Sequence, residues 1–244
     1  MARQLSAKQL FSGSNPLVAS RYMPNKRKEL KIEGANLWYL VGLIATDGCL
    51  CTDGRHIDIT SQDFQFLQAV EEATGIKNKI GAKYNGRNQR SFHIQIGNKN
   101  LYNFLVSIGL SQNKSLTLGA LEIPNEYFMD FLRGVIDGDG CIRSWVHPSN
   151  KREQWSLRIY SGSEDFINWL SDTIIGLLEI FGKVYKSGDN LWVLKYGKMA
   201  AREIARQCYY KDCFGLKRKI ELAKQCLGSY KGWDKSATVC CEPV

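Results

Sequence analysis

The chain has 244 residues, enough for one large domain or two of about 120 residues that each bury a core. Hydrophobic residues make up 44% of the chain and no run of about 18 apolar residues occurs, which argues against a transmembrane helix. The net charge of +9 fits a polyanionic partner, either a nucleic acid or an anionic membrane surface, and equally a basic surface covered only by water.

The first 28 residues contain six Lys or Arg residues and no acid, and they lack the apolar stretch of a secretory signal. We interpret this start as a disordered or loosely attached basic arm. An organelle presequence and a DNA-contacting arm are alternatives. We expect an intracellular protein, in an organelle matrix or the cytoplasm, and no association with a membrane.

The eight cysteines show no C-x-x-C spacing, and only three histidines accompany them, so a zinc site of paired knuckles is not predicted. We expect most of the cysteines to be small buried apolar residues in a reducing compartment.

Helices and strands can be predicted in chain order from the spacing of apolar residues. Residues 36–46 and 125–138 predict apolar helices, and amphipathic helices are expected near 63–74 and 164–180. Between them, strands alternate apolar and polar residues, as in residues 91–96. Each predicted sheet therefore has one packed face and one exposed polar face.

The chain repeats itself. The peptide L40-V-G-L-I-A-T-D-G-C-L50 returns as L132-R-G-V-I-D-G-D-G-C-I142, and the strands at 57–61 and 91–96 return at 157–161 and 191–196. A duplicated unit of roughly 100 residues explains all three correspondences. The predicted organisation is a basic extension, a first unit, a linker, a second unit and a disordered tail, at residues 1–34, 35–109, 110–124, 125–227 and 228–244.

The repeated peptide resembles the motif of the LAGLIDADG homing endonuclease family, in its single-chain form with two motifs. The resemblance covers about residues 35–226. It implies an α+β fold of tandem pseudo-twofold αββαββα units, with two antiparallel saddle-like sheets and the motif helices packed at the centre. The chain departs from the motif at Ala45 and Thr46, where the family often has an acid and a small residue, whereas Asp137 keeps the acid. We do not interpret Ala45 as a loss of activity.

Small residues in the two motif helices predict that their backbones approach closely, since Gly42 and Thr46 correspond to Gly134 and Gly138. Two such helices packed side by side bring their C-terminal ends together, and with them the two acids of the motifs. Paired carboxylates are hard oxygen ligands suited to Mg²⁺. The alternative is that both acids are ordinary residues of helix C-terminal turns.

The resemblance assigns roles to particular residues. The penultimate acid of each motif, Asp47 and Asp139, is implied to bind Mg²⁺, with Mn²⁺ or Ca²⁺ able to replace it in binding. Lys195 lies where the family commonly places an active-site lysine, and Gln95 is its counterpart in the first unit. Ser61 and Ser161 are weaker candidates for positioning water.

The resemblance further implies a monomer that lays each sheet in a DNA major groove and cuts one phosphodiester bond in each strand of a long asymmetric site. The polar-face rule then predicts DNA contacts in the first unit at Asp53, Arg55, His56, Asp58, Thr60, Lys83, Arg87, Ser91 and His93. In the second unit it predicts contacts at Arg143, Trp145, His147, Gln154, Ser156, Arg158, Tyr185 and Ser187. Four further residues in or beside turns are expected to contact phosphates, namely Arg90, Lys151, Arg152 and Lys186.

Other functions of the same fold remain as alternatives. An intron-encoded maturase would bind intron RNA, and a catalytically silent protein would bind DNA without cutting it. A transcription regulator would lose the acids and add a helix-turn-helix. An intein is disfavoured because the chain neither begins with Cys or Ser nor ends in His-Asn. A basic scaffold for an acidic protein partner would explain neither motif acid.

Overall fold

The computed structural model describes residues 32–75, 78–84, 86 and 88–229. Most of the predicted N-terminal extension, the predicted tail from residue 230 and the predicted DNA contact Arg87 lie outside these residues. The described part forms an α+β structure with two four-stranded antiparallel sheets and seven α-helices, which confirms the predicted fold class. None of these helices is long and apolar enough to cross a membrane.

The first half of the fold begins with the helix that carries the first motif. Its elements are α1 Gly34–Asp47, β1 Gly48–Leu50, β2 His56–Ser61, α2 Phe64–Thr74, β3 Gly81–Tyr84, β4 Arg90–Gly97 and α3 Lys99–Ser107. The strands lie in the order β1-β2-β4-β3. Apolar and polar residues alternate along β2 and β4, so that one face of the sheet is apolar. On this face the cross-strand pairs Ile57–Ile96 and Ile59–Ile94 are buried.

The second half repeats this arrangement. Its elements are α4 Phe128–Asp139, β5 Gly140–Val146, β6 Glu153–Ser161, α5 Glu164–Leu178, β7 Lys183–Lys186, β8 Trp192–Tyr196, α6 Lys198–Cys208 and α7 Lys217–Gly228. The strand order β5-β6-β8-β7 is that of the first sheet. Helix α7 breaks the symmetry, because the connection after α3 holds only the 3₁₀ turns Lys114–Leu116 and Asn125–Tyr127 before α4.

The motif helices α1 and α4 form the most extensive helix contact of the fold. The predicted close approach is present, because a Cβ on Gly42 would lie 2.1 Å from the Phe131 carbonyl oxygen, and one on Gly134 would lie 2.2 Å from that of Tyr39. Thr46 packs against Gly138 in the same seam, because a Cβ on Gly138 would lie 2.1 Å from the Thr46 hydroxyl. Glycine is therefore required at these positions by space, and the spacing of the two helices depends on it.

Both sheets lead into their second helices through the same short turn. The side chains of Asp63 and Ser163 accept hydrogen bonds from the amides of Phe66 and Phe166 and so cap α2 and α5. Each cap residue lies two positions after the end of its strand, at Ser61 or Ser161, and the helix begins at the next residue. The first of these strand ends lines a cleft that Asp47 also lines.

Candidate functional site

Asp47 and Asp139 are the last residues of α1 and α4, and both are exposed. The close seam between the helices brings their ends together, since a Cβ on Gly138 of α4 would lie 3.3 Å from the Asp47 carboxylate. Each acid comes directly before a strand of a different sheet. The two carboxylates therefore lie at the centre of the fold, where its two halves meet.

Folding raises the pKa of both carboxyl groups. The pKa of Asp47 is about 6, first because neighbouring protein atoms remove water from the carboxyl, and then because Asp139 adds negative charge. Loss of water likewise raises the pKa of Asp139. Lys114 and Lys219 oppose both shifts. Loss of water and the repulsion between the two carboxylates therefore disfavour their ionised forms. A bound cation would offset both effects, because its positive charge stabilises ionised carboxylates.

Two buried lysines lie behind the carboxylates. The Lys114 ammonium donates to the carbonyl of Gly48, and the Lys219 ammonium donates to those of Gly140 and, at 3.0 Å, Ile136. Gly48 and Gly140 are corresponding residues that directly follow the motif acids, so the two lysines are structural counterparts. Burial lowers the pKa of each lysine.

Lys195 and Gln95 lie on corresponding strands of the two sheets. Lys195 is on β8, paired with Arg158 and Lys183, and Gln95 is on β4, paired with Asp58. Neither is among the charged or polar groups that most affect the pKa of Asp47 or Asp139. Lys114 and Lys219 come from the segments that follow α3 and α6, and an active-site role for Lys195 or Gln95 stays a prediction.

The donor set fits a hard divalent cation that keeps most of its water. Among the described residues no three His, Cys, Asp or Glu side chains cluster as a metal cage, so each helix end offers a single carboxylate. Mg²⁺ is held in this way when substrate phosphates supply its remaining ligands. The residues that would bind such a cation are Asp47 and Asp139.

The predicted DNA contacts of the first unit occupy one face of its sheet and the neighbouring turns. The face carries His56, Asp58, Thr60, Lys83, Ser91 and His93, while Asp53, Arg55 and Arg90 lie beside turns. Asp58 accepts from Lys83 and, at 3.0 Å, bonds the His93 ring. His56 bonds Asp53 and lowers the pKa of that carboxyl to about 2. These side chains hold one another in place at the surface.

The second sheet presents a more basic face. Lys186 is the last residue of β7 and lies on the packed side of the sheet, where it pairs with Trp192 and lies 5.9 Å over its ring. Arg143 lies on the polar face, 5.6 Å over the Trp145 ring. The other predicted contacts are at least partly exposed on the same face or in turns, namely His147, Lys151, Arg152, Gln154, Arg158, Tyr185 and Ser187.

The prediction of a DNA contact at Ser156 is wrong. The side chain points to the polar face but is fully buried, opposite Arg143 on β5 and between Gln154 and Arg158 along β6. A short side chain between three long ones is covered by them. Alternation correctly assigned its face, but it could not show how deeply the residue lies within that face.

Asp137 has a structural role in the second unit. It is buried and accepts hydrogen bonds from the hydroxyls of Tyr39 and Tyr209 and from the amide of Leu216, at 2.6–2.8 Å. Arg133, also buried, pairs with Asp130 and donates to the carbonyls of Cys208, at the end of α6, and Phe214, in the connection before α7. This network fixes the start of α7, which carries Lys219, against α4.

We expect Asp137→Asn to destabilise the fold by about 2 kcal/mol, because the amide cannot accept all three bonds and leaves a buried donor unsatisfied. Chemical denaturation compared with Asp172→Asn, an exposed carboxyl on α5, measures the difference. Equal midpoints for the two variants would contradict the role given to Asp137.

Lys114 and Lys219 were missed by the sequence analysis. Each follows a buried leucine, Leu110 or Leu216, but by four residues in one half and three in the other. The unequal spacing hides the correspondence, which becomes visible only when both ammonium groups are seen to bind matching carbonyls.

Comparison with known proteins agrees with this geometry. Residues 35–109 match the family model described as a LAGLIDADG-like domain. The chain has the LAGLIDADG fold. This confirms the resemblance that the two repeated peptides predicted. A separate comparison with curated protein sequences found no match.

Solved structures share the LAGLIDADG fold at low sequence identity. Full-length DUF199/WhiA from Thermatoga maritima matches with a TM-score of 0.54 and 14% identity, over 84% of this chain and 65% of that one. I-DmoI in complex with DNA and Ca matches with a TM-score of 0.52 and 14% identity, over 78% and 97%. The meganuclease I-SmaMI bound to uncleaveable DNA has the same score and identity, over 80% and 91%.

Proposed function

We propose that the protein is a monomeric, divalent-metal-dependent endonuclease that cuts both strands of a long asymmetric DNA site. The observation that carries the proposal is the pair of exposed carboxylates, Asp47 and Asp139, at the joined ends of α1 and α4. A bound Mg²⁺ would polarise a phosphate and lower the pKa of its own water. One carboxylate from each half suits a reaction at two strands.

The chain's own residues prepare this centre. Lys114 and Lys219 bring positive charge behind the carboxylates and hold the backbone that follows each of them. The Ser61 hydroxyl accepts the Asp63 amide at 3.1 Å, which leaves its proton free to donate within the cleft that Asp47 lines. The Ser61 hydroxyl would bind a phosphate oxygen or orient water, while the buried lysines would act through their charge and their hold on the backbone.

DNA is the proposed substrate because polar side chains cover the exposed faces of two similar sheets, one on each side of the carboxylates. A two-stranded ribbon fits the major groove and reads base edges there. The two faces differ in sequence, so we expect an asymmetric target. The neighbours that carry DNA in their structures, I-DmoI and I-SmaMI, support the same substrate.

A second candidate is a DNA-binding protein that does not cut. The reason to consider it is the likeness to DUF199/WhiA, a protein whose name does not denote a nuclease. Its TM-score of 0.54 is similar to the 0.52 of I-DmoI, and both are 14% identical to this chain. An intron RNA as ligand remains a further proposal. The motif acids distinguish these candidates, because binding alone requires no exposed pair of carboxylates with raised pKa values.

The test is cleavage of a randomised double-stranded DNA library by the purified protein, with Mg²⁺ and separately with EDTA. We expect metal-dependent double-strand cuts that recover one long asymmetric site. Retention of DNA without cuts in Mg²⁺ or Mn²⁺ would contradict the endonuclease and leave the silent binder. Selective retention of an RNA library instead would indicate the maturase.

A further inference from the structure

A cleft of about 350 Å³ opens beside Asp47, within the size range of ligand sites. Its walls come from both halves of the fold: the end of β2 with Ser61 and Gln62, the start of β4 with Arg90, and the start of α7 with Arg218. The lining is mostly polar. Such a cleft suits an anionic, hydrated group better than an apolar ligand.

The two arginines give the cleft its charge. Arg218 is exposed and forms no ion pair with any residue that the structure describes, and it lowers the pKa of Asp47. The guanidinium of Arg90 lies 4.6 Å from the centre of the Phe92 ring. A guanidinium binds phosphate through two parallel hydrogen bonds, and stacking on a ring restricts its orientation in advance.

The corresponding place beside Asp139 is built differently. Gln62 is replaced there by Gly162, on which a Cβ would lie 2.5 Å from the Ser115 carbonyl oxygen. The 3₁₀ turn Lys114–Leu116 thus packs directly against the end of β6, and Ser163 bonds the Leu118 carbonyl at 2.5 Å. This packing fills the space that is open in the other half.

The charge differs as well. Because Lys114 and Lys219 are counterparts, the residue before each of them is comparable, and Asn113 stands where the other half has Arg218. Among the residues that the structure describes, the Asp47 side therefore combines an open cleft with a guanidinium from the opposite half, whereas the Asp139 side has a packed turn and Asn113.

From this asymmetry we propose that the cleft lined by Arg90 and Arg218 is a phosphodiester-binding subsite found only beside Asp47, and that it makes the DNA strand held there the first to be cut. The ordering of the two cuts rests on the proposed function, whereas the binding of a phosphate does not. In this proposal Arg218 is a binding residue whose guanidinium contacts a phosphate of one strand.

The first experiment follows nicking of each labelled strand of the recovered site in wild type, Arg218→Gln and Lys217→Gln. Lys217 is the matched control, an exposed cation on the same helix outside the cleft. Wild type is expected to cut one strand first. Arg218→Gln should slow that strand on the order of tenfold, as loss of a charged hydrogen bond predicts, and change the other far less. Lys217→Gln should keep the wild-type order.

The second experiment measures binding of a random-sequence duplex in EDTA over a series of KCl concentrations. Loss of one phosphate contact should reduce the slope of log affinity against log salt by about 0.9 in Arg218→Gln, with no such change in Lys217→Gln. Equal slowing of both strands, no slowing, or an unchanged salt slope overturns the subsite. If wild type cuts no DNA, the endonuclease proposal fails by itself and the salt slope alone decides the subsite.

Discussion

Asp47→Asn and Asp139→Asn are each expected to abolish DNA cleavage while leaving the protein folded. Each substitution removes one of the two carboxylates proposed to bind the divalent cation and keeps the shape of the side chain. Loss of groups that only support a metal ligand typically costs 10- to 100-fold in affinity or activity, so loss of the ligand itself should cost more than about 100-fold. Rates of double-strand cutting at the recovered site measure the effect.

The same Asp47→Asn variant should be more stable than wild type at neutral pH in EDTA. Folding raises the pKa of Asp47 from its ordinary 3.8 to about 6, so the folded protein holds this proton more tightly than the unfolded chain. The stability that depends on the proton is present below pH 3.8 and is lost as the pH rises through 6. Asparagine stays neutral and avoids the loss.

Thermal unfolding at pH 7.5 and pH 4 distinguishes this effect from a general change in stability. The difference between Asp47→Asn and wild type should be present at the higher pH and nearly absent at the lower. Asp172→Asn, at an exposed position, should differ from wild type at neither pH. An inactive Asp47→Asn that is also less stable at pH 7.5 would point to a structural role for the carboxylate.

Gly134→Ala is expected to destabilise the fold by about 3 kcal/mol or more, because the new methyl group would lie 2.2 Å from the Tyr39 carbonyl oxygen. The obstacle is backbone rather than a flexible side chain, so α1 and α4 must move apart. That movement would also separate Asp47 from Asp139. Cleavage should therefore fall even at temperatures where the variant stays folded.

Gly176→Ala is the matched control for this prediction. Gly176 lies within α5 with no atom within 4 Å of an added Cβ, so alanine should be neutral or stabilise the helix by up to about 1 kcal/mol. Denaturant unfolding and cleavage rates of both variants provide the comparison. A Gly134→Ala protein as stable and active as Gly176→Ala would show that the seam between the motif helices is looser than described.

Much of this architecture follows from local pattern. A peptide repeated at corresponding points of two similar segments predicts the duplicated fold, and strict alternation along β2, β4, β6 and β8 predicts which face of each sheet is packed. The same peptides contain the glycines that bring α1 and α4 together. These features were predictable because each depends on spacing within a short stretch of chain.

The basic groups of the centre were not predictable in this way. The sequence pointed to Lys195, on a strand, and gave no sign of Lys114 and Lys219. The ammonium groups of these two lysines donate to carbonyls more than 60 residues away along the chain. The burial of Ser156 was likewise invisible, because it depends on the arginines beside it and not on its own position in the alternating pattern.

The sequence by itself determined the duplication, the two motif acids and the polar faces on which a DNA-binding function depends. Only the tertiary structure decided that the halves are unequal, with an open cleft and Arg218 beside Asp47 and a packed turn against Gly162 beside Asp139. The physical reason is that van der Waals packing and burial are properties of atoms brought together from distant segments. A spacing rule describes one segment at a time and carries no information about which other segment fills its space.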